Sequence, residues 1–188
     1  MEPLLTTFIA AALAEWGDKT QLLVVALAAR YRRAGPILAG VAVAALANAL
    51  IAAFGGTLIN GVITLRAISL LLALALVFAG VGGLIGGKTP DMGSTWRTGP
   101  FLTTAGCYFL LEFGDKTQFL TFSLAAQFNS FLLAAFAATA GVAVASIPAA
   151  VLGEGLRAKA PVKPIRIGIA IAFLLAGFIV AVNALRLT

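Results

Sequence analysis

Six long apolar stretches follow one another along the chain, separated by short polar segments. Each has the roughly 20 mostly apolar residues that a helix needs to cross the hydrocarbon core of a bilayer. The stretches predict transmembrane helices at about 3–28, 36–59, 67–87, 100–126, 131–152 and 165–186. The first and the fourth are interrupted near their centres by charged residues, whereas the other four are cleaner. The pattern predicts an all-α polytopic membrane protein with six spans.

The two interruptions carry nearly the same sequence. Glu-Trp-Gly-Asp-Lys-Thr-Gln at 15–21 returns as Glu-Phe-Gly-Asp-Lys-Thr-Gln at 112–118, an offset of 97 residues. These two motifs hold four of the seven acidic residues of the protein. Weaker echoes at the same offset, such as Gly80 with Gly177, support a duplication of half the chain.

The predicted duplication also has a direction. Each half holds three predicted helices, an odd number, so the second half must enter the membrane from the opposite side. We expect two inverted three-helix repeats, at 1–87 and 100–188, joined by a polar linker at 88–99 into one transport domain. Inverted repeats of this kind are typical of secondary transporters, in which two similar halves exchange conformations.

Composition agrees with a membrane location. The chain is 61% hydrophobic and 11% charged, with a mean hydropathy of +1.05, whereas soluble proteins have about 45–50% apolar and about 25% charged residues. Histidine, the commonest ligand of zinc and copper sites, is absent. The only cysteine, Cys107, cannot form a disulfide framework and is expected to be a small buried residue.

The net charge of +6 is better explained by topology than by nucleic-acid binding, since the basic residues are scattered through predicted loops. Nine basic residues fall in loops on one side: Arg30, Arg32, Arg33, Lys88, Arg97, Arg157, Lys159, Lys163 and Arg166. Only Arg66 and Arg186 fall on the other side. The positive-inside rule then places the first side in the cytoplasm and both termini outside. The N-terminus lacks the positive segment of a cleavable signal peptide, so we expect the first helix to be retained.

The motif residues share a helix face. On a continuous helix, Glu15, Asp18 and Lys19 lie at positions i, i+3 and i+4. Gln21 extends that face, and Gly17 permits unwinding or close approach of a neighbouring helix. Buried carboxylates in a membrane are costly and usually mark a functional site. A single Glu–Lys pair can be a structural ion pair, but a second copy argues against that interpretation.

The inverted symmetry is expected to bring both motifs together near the bilayer centre. The expected primary metal ligands are Glu15, Asp18, Glu112 and Asp115; the secondary ones are Thr20, Gln21, Thr117 and Gln118; the charge partners are Lys19 and Lys116. An all-oxygen set suits hard cations such as Ca²⁺, Mn²⁺ or Mg²⁺. The transported ion would bind transiently, and we expect neither a cofactor nor catalytic residues.

Charge counting suggests a mechanism. Four carboxylates and two ammonium groups give the ionised site a formal charge of −2, which one divalent cation or two protons would neutralise. Crowding of like charges and loss of water both favour the protonated form of a carboxyl group. The site can therefore be expected to hold either metal or protons, which is the basis of metal–proton exchange.

The doubled Glu-x-Gly-Asp-Lys-Thr motif, in a six-helix chain of 188 residues, resembles one family over essentially its whole length. This is uncharacterised protein family 16, or the calcium/cation antiporter-2 group, which includes transmembrane protein 165 and bacterial manganese exporters. The resemblance implies export of Mn²⁺, and in some members Ca²⁺, from the cytosol against protons. It also implies metal binding by Glu15, Asp18, Glu112 and Asp115. The short loops favour a bacterial inner membrane.

Other functions are compatible with the same residues. A divalent-cation channel could use the same acidic groups without proton coupling, and an exporter of small organic cations or amino acids could have this size. A membrane-embedded hydrolase is less favoured because the sequence offers few polar handles beyond the motifs. The choice between Mn²⁺ and Ca²⁺, and the formation of a homodimer, are left open by the sequence.

Overall fold

The computed structural model describes residues 2–87, 90, 96–156 and 160–185, and these residues form helices and connecting turns without strands. The helices of the first half are α1 (Glu2–Glu15), α2 (Lys19–Tyr31), α3 (Ala34–Asn60) and α4 (Leu65–Ile85). Those of the second half are α5 (Pro100–Glu112), α6 (Lys116–Phe128), α7 (Phe131–Leu152) and α8 (Val162–Leu185).

Four of these helices, α3, α4, α7 and α8, are long and apolar enough to cross a membrane. They coincide within a few residues with four of the predicted spans. Their outward faces carry large apolar side chains, including Phe78 on α4 and Leu175 and Phe178 on α8, which are 48%, 59% and 66% exposed. Large exposed apolar surfaces of this kind are typical of contact with lipid. The chain is therefore an all-helical polytopic membrane protein.

The other two predicted spans, 3–28 and 100–126, are each formed by two helices. The helices α1, α2, α5 and α6 have 14, 13, 13 and 13 residues, or about 20 Å each at 1.5 Å per residue, which is too short to cross a bilayer alone. The breaks fall within the two motifs, where the sequence analysis expected interruptions. The count of six spans stays a prediction.

The two halves repeat their helix positions. Helix α5 ends 97 residues after α1, and α6, α7 and α8 begin 97 residues after α2, α3 and α4, respectively. The predicted linker 88–99 is described only at 90 and 96–99, and the basic residues Lys88, Arg157, Lys159 and Arg186 lie outside the described residues. The division into repeats and linker stays a prediction, and so does their inverted orientation.

Helix packing also follows the repeat, with one exception. Helix α1 packs on α7 as α5 packs on α3, and α2 packs on α7 as α6 packs on α3. Helices α3 and α7 pack on each other, as do α4 and α8. The α4–α8 contact is close because Gly80 and Gly177 face the partner helix; a Cβ on either would lie 2.6 Å from Leu174 or 2.9 Å from Val77. The exception is α4, which packs on α6, whereas α8 makes at most marginal contact with α2 within the described residues.

Candidate cation-binding site

Each motif folds as a helix end, a three-residue break and a new helix start. Gly17 and Gly114 have φ angles of 74° and 77°, in the left-handed region that favours glycine. The N–H of Asp18 donates to the carbonyl of Glu15 at 3.2 Å, and the second motif repeats this bond at 3.0 Å. The two copies therefore have the same local backbone. Their aspartates lie at the start of a helix and their glutamates at the end of one.

The motif glutamines brace the breaks. In the first motif, Gln21 Oε1 accepts from the glycine N–H at 3.0 Å and Gln21 Nε2 donates to the carbonyl of Ala145 on α7 at 3.1 Å. In the second, Gln118 Oε1 accepts from the glycine N–H at 2.6 Å, and Nε2 lies 3.4 Å from both the carbonyl and Oδ1 of Asn48 on α3. Each glutamine thus ties its break to the long helix of the other half.

The lysine of each motif forms an ion pair with the aspartate of the other motif. Lys116 Nζ lies 2.5 Å from Asp18 Oδ2, and Lys19 Nζ lies 3.1 Å from Asp115 Oδ2. The first pair is more deeply buried, with side chains 6% and 11% exposed, against 32% and 15% for the second. Both motifs therefore meet in space, and each neutralises an aspartate of the other.

Glu15 is surrounded by hydroxyl groups. Its side chain is 1% exposed, and its Oε2 accepts hydrogen bonds from Thr20 at 2.6 Å and from Tyr108 at 2.7 Å. Its Oε1 accepts one from Thr117 at 2.6 Å. Two of these three donors come from the second half of the chain. Hydrogen bonds to a carboxylate are roughly twice as strong as neutral ones, so these three donors offset part of the cost of burying Glu15 as a carboxylate.

Glu112 has the opposite environment. It is 2% exposed, and neither of its carboxyl oxygens has a hydrogen-bond partner among the described residues. It lines a cavity of about 10 Å³ together with Asn48, Thr117 and Gln118, and a cavity of that size holds about one water molecule. A buried carboxyl group without partners is costly as an anion. Binding a proton or a cation would remove that cost.

The four motif carboxylates, which were expected to come together as metal ligands, do not form one cluster in this conformation. Across residues 2–87, 90, 96–156 and 160–185, no three acidic, histidine or cysteine side chains lie close enough together to hold one metal ion. The physical reason is that ammonium groups contact both aspartates and hydroxyl groups contact Glu15. Thr20 and Thr117 both lie on Glu15, while the two glutamines are engaged at the breaks. The metal-binding roles of all these residues stay predictions.

Two residues near the motifs were missed by the sequence analysis. Tyr108 lies four residues before Glu112, so the i, i+4 spacing on one helix face could have singled it out. Arg166 was counted only as a loop charge, although it lies against the first break, where a Cβ on Gly17 would be 3.0 Å from Arg166 Cβ. Cys107 is buried, which confirms the prediction made from the sequence.

A known protein family matches both halves of the chain, including both copies of the motif. The sequence model of the family described as divalent cation/proton antiporter GDT1 matches residues 3–91 and 100–187. The chain belongs to this family. The GDT1 match begins anew after 97 residues, at the offset of the two motifs.

A relative gives the same indication. The chain is 34% identical, over 167 residues, to a protein of Vibrio cholerae serotype O1 (strain ATCC 39541) named "Putative manganese exporter"; the match covers 88% of this chain and 84% of the relative. No solved structure matches the chain. The resemblance inferred from the motifs is confirmed, and the protein is a GDT1-family cation transporter rather than an enzyme.

Proposed function

We propose that this chain exports divalent cations from the cytoplasm in exchange for protons, with Mn²⁺ as the preferred cation and Ca²⁺ as the alternative. One observation carries the proposal: two buried glutamates lie at two helix breaks whose aspartates and lysines pair across the halves. GDT1-family membership and the name of the Vibrio cholerae relative support both the cation and the exchange.

The geometry at the breaks suits cations. Glu15 and Glu112 are the last residues of α1 and α5, where the partial negative charge of helix carbonyl groups favours positive ions. Threonine hydroxyls adjoin them, so the available donors are oxygens, as Mn²⁺ and Ca²⁺ prefer. When the aspartates leave their lysines, their carboxylates become further ligands. Protonation would end their role as ligands and release the metal.

We infer that the chain crosses a bacterial inner membrane six times, as two inverted repeats with both termini outside. The repeated helix starts, the doubled family match and the bias of basic residues toward one side support this arrangement. In such an arrangement the two halves would exchange conformations to expose the site alternately to each side of the membrane. Helix α4 packs on α6, whereas the equivalent contact between α8 and α2 is marginal at most. Such an asymmetry is expected when a protein that alternates between two conformations is seen in one of them.

The test is transport by purified protein in proteoliposomes that contain a pH dye. Mn²⁺, Ca²⁺ and Mg²⁺ are offered under a set pH gradient, and the membrane potential is varied with potassium and valinomycin. We expect cation movement to carry protons the other way and to slow when the gradient is collapsed. Flux that ignores the pH gradient would indicate a channel and refute antiport. The control is Glu154→Gln, which removes a carboxylate in the turn after α7, outside both motifs. This variant should transport normally.

A further inference from the structure

A cavity of about 460 Å³ leads toward the first motif. It is lined by Gly17 in the first break, Leu22 on α2, Gly87 after α4 and residues 160–164 before and at the start of α8. We call this cavity the vestibule. It lies where α8 and α2 make at most marginal contact, and on the side that the basic loops assign to the cytoplasm.

Arg166 stands between the vestibule and the buried ion pair. It lines the vestibule and also a second cavity, of about 10 Å³, that is lined by Asp18 and Lys116. Its aliphatic stem packs on Gly17, and its guanidinium lies against Gly86 at the end of α4. A cation moving from the vestibule toward Asp18 must therefore pass this side chain.

Within the described ranges, no carboxylate forms a salt bridge with the guanidinium. Neither described salt bridge of the site includes Arg166, although Asp18 is nearby. The Nε atom is buried and has no hydrogen-bond partner among the described residues. Arginine keeps its charge under all physiological conditions. A permanent charge held by packing rather than by an ion pair can turn away without breaking strong interactions.

The repeat has such a charge on one side only. The position equivalent to Arg166, 97 residues earlier, is Ser69, whose hydroxyl donates to the carbonyl of Leu65 at 3.0 Å. On that side α4 packs on α6, so the route to the second motif is covered by helix packing. The route to the first motif is covered by one side chain. The chain thus departs from its own symmetry at this position.

We propose that Arg166 is an electrostatic gate on the vestibule side of the first motif. In this conformation its charge repels divalent cations from Asp18, and it turns into the vestibule to admit them. With Arg166 in place, the charges of the two motifs sum with it to −1 instead of −2. The site then takes up a divalent cation without surplus positive charge only when Arg166 has turned away. The proposal rests on the proposed cation transport and adds to it a sidedness that the motifs alone do not have.

The test compares Arg166→Ser, which copies the residue at the equivalent position, with Arg166→Lys, which keeps a positive charge. Initial Mn²⁺ uptake is measured in inverted vesicles, where the cytoplasmic face is outside, and in right-side-out vesicles. For Arg166→Ser we expect the half-saturating Mn²⁺ concentration to fall about 10-fold on the cytoplasmic face and to stay unchanged on the other, since the loss of one charge near the route removes Coulomb repulsion. Arg166→Lys should behave as wild type.

The outcomes separate the gate from the transport itself. If the wild type transports Mn²⁺ and Arg166→Ser has the same half-saturation on the cytoplasmic face, the gate is refuted and the antiporter stands. A lower maximal rate with unchanged half-saturation indicates a purely structural role and also refutes the gate. If wild type moves no divalent cation, both proposals fail. Arg166→Gln keeps the stem over Gly17 without the charge and replaces Arg166→Ser if that variant does not fold. Ser69→Ala is the matched control and should change neither face.

Discussion

The two copies of the motif have the same backbone and opposite surroundings. Glu15 accepts three hydroxyl hydrogen bonds, whereas Glu112 has no partner among the described residues. The Asp18–Lys116 pair is buried and the Lys19–Asp115 pair is more open. A duplicated sequence has thus produced one buried carboxyl group whose burial is partly offset by three hydroxyl donors, and one that lacks such donors among the described residues. In a cation–proton exchanger, this difference between the two glutamates would let metal and protons bind to the same groups at different stages of the transport cycle.

Part of this difference comes from residues that differ between the two halves, and part comes from the conformation. Tyr108 donates to Glu15, but the equivalent residue in the first half is Ala11, so the first half offers Glu112 no matching phenol. Thr20 and Thr117, in contrast, are equivalent to each other, yet both donate to Glu15. In the proposed exchange of conformations between the halves, these hydroxyls would change acceptors. The tyrosine fixes a bias that such an exchange cannot remove.

The largest expected effect separates function from stability at the two glutamates. Glu15→Ala and Glu112→Ala should each abolish transport in proteoliposomes, because each removes a carboxylate that the proposed site requires. Their stabilities should differ. Glu15→Ala leaves three buried hydroxyls without their acceptor, at about 1–3 kcal/mol each. Glu112→Ala removes a buried, unpartnered group and should be neutral or stabilising.

Thermal unfolding in detergent measures this difference, with Glu154→Gln as the control that should match wild type in both assays. Equal destabilisation by the two alanine variants would contradict the contrast between the sites. Normal transport by either variant would remove that glutamate from the proposed binding site.

The two cross-half ion pairs give the next largest effect. Lys116→Ala leaves Asp18 buried without a counter-charge and should lower stability by about 3–5 kcal/mol. Lys19→Ala affects the more exposed pair and should cost about 1 kcal/mol or less. Unfolding in detergent again provides the measurement. The double variant Asp18→Asn with Lys116→Met should recover most of the loss, since replacing both partners removes the uncompensated charge; no recovery would contradict the view that an uncompensated charge at Asp18 causes the loss.

A smaller effect is expected from the fixed bias at Glu15. Tyr108→Phe removes one hydrogen bond to a charged group, worth about 1.5–3 kcal/mol, and makes the two glutamate environments more alike. Tyr31→Phe is the control, because the Tyr31 hydroxyl bonds only neutral groups, the carbonyl of Thr98 and the hydroxyl of Thr103. Unfolding of both variants is compared in detergent. Equal, small losses would show that the Tyr108 bond to Glu15 contributes no more than bonds between neutral groups.

The smallest effect concerns the braces of the breaks. Gln21 donates at 3.1 Å and is 2% exposed, whereas the equivalent contacts of Gln118 are 3.4 Å long. Gln21→Ala should therefore cost about 1–2 kcal/mol and Gln118→Ala about half as much. The same unfolding assay ranks the two variants. The reverse ranking would mean that the shorter bond from the Gly114 N–H to Gln118, at 2.6 Å, outweighs the deeper burial of Gln21.

Much of the fold was predictable because its signals are local. Apolar length marks the four long helices, and a charged motif with a central glycine marks the two breaks. The expected face of Glu15, Asp18 and Lys19 assumed a continuous helix, on which Thr20 points away from Glu15. The break at Gly17 turns Thr20 back onto Glu15. Sequence spacing also could not predict the ion-pair partners of the lysines. Each motif offers its lysine a glutamate at i, i+4, but in the folded protein each lysine pairs with the aspartate of the other motif.

The exchanged lysines also bear on how the protein is made. During synthesis the first half leaves the ribosome before the second, with Asp18 and Lys19 already in an apolar stretch. The groups that pair with them in the finished fold, Lys116 and Asp115, arrive 98 and 96 residues later, respectively. Charges without these partners are costly in lipid, so we expect the first break to stay near water or the insertion machinery until the second has entered. The halves expressed as separate chains should then mature only when both are present in the same membrane.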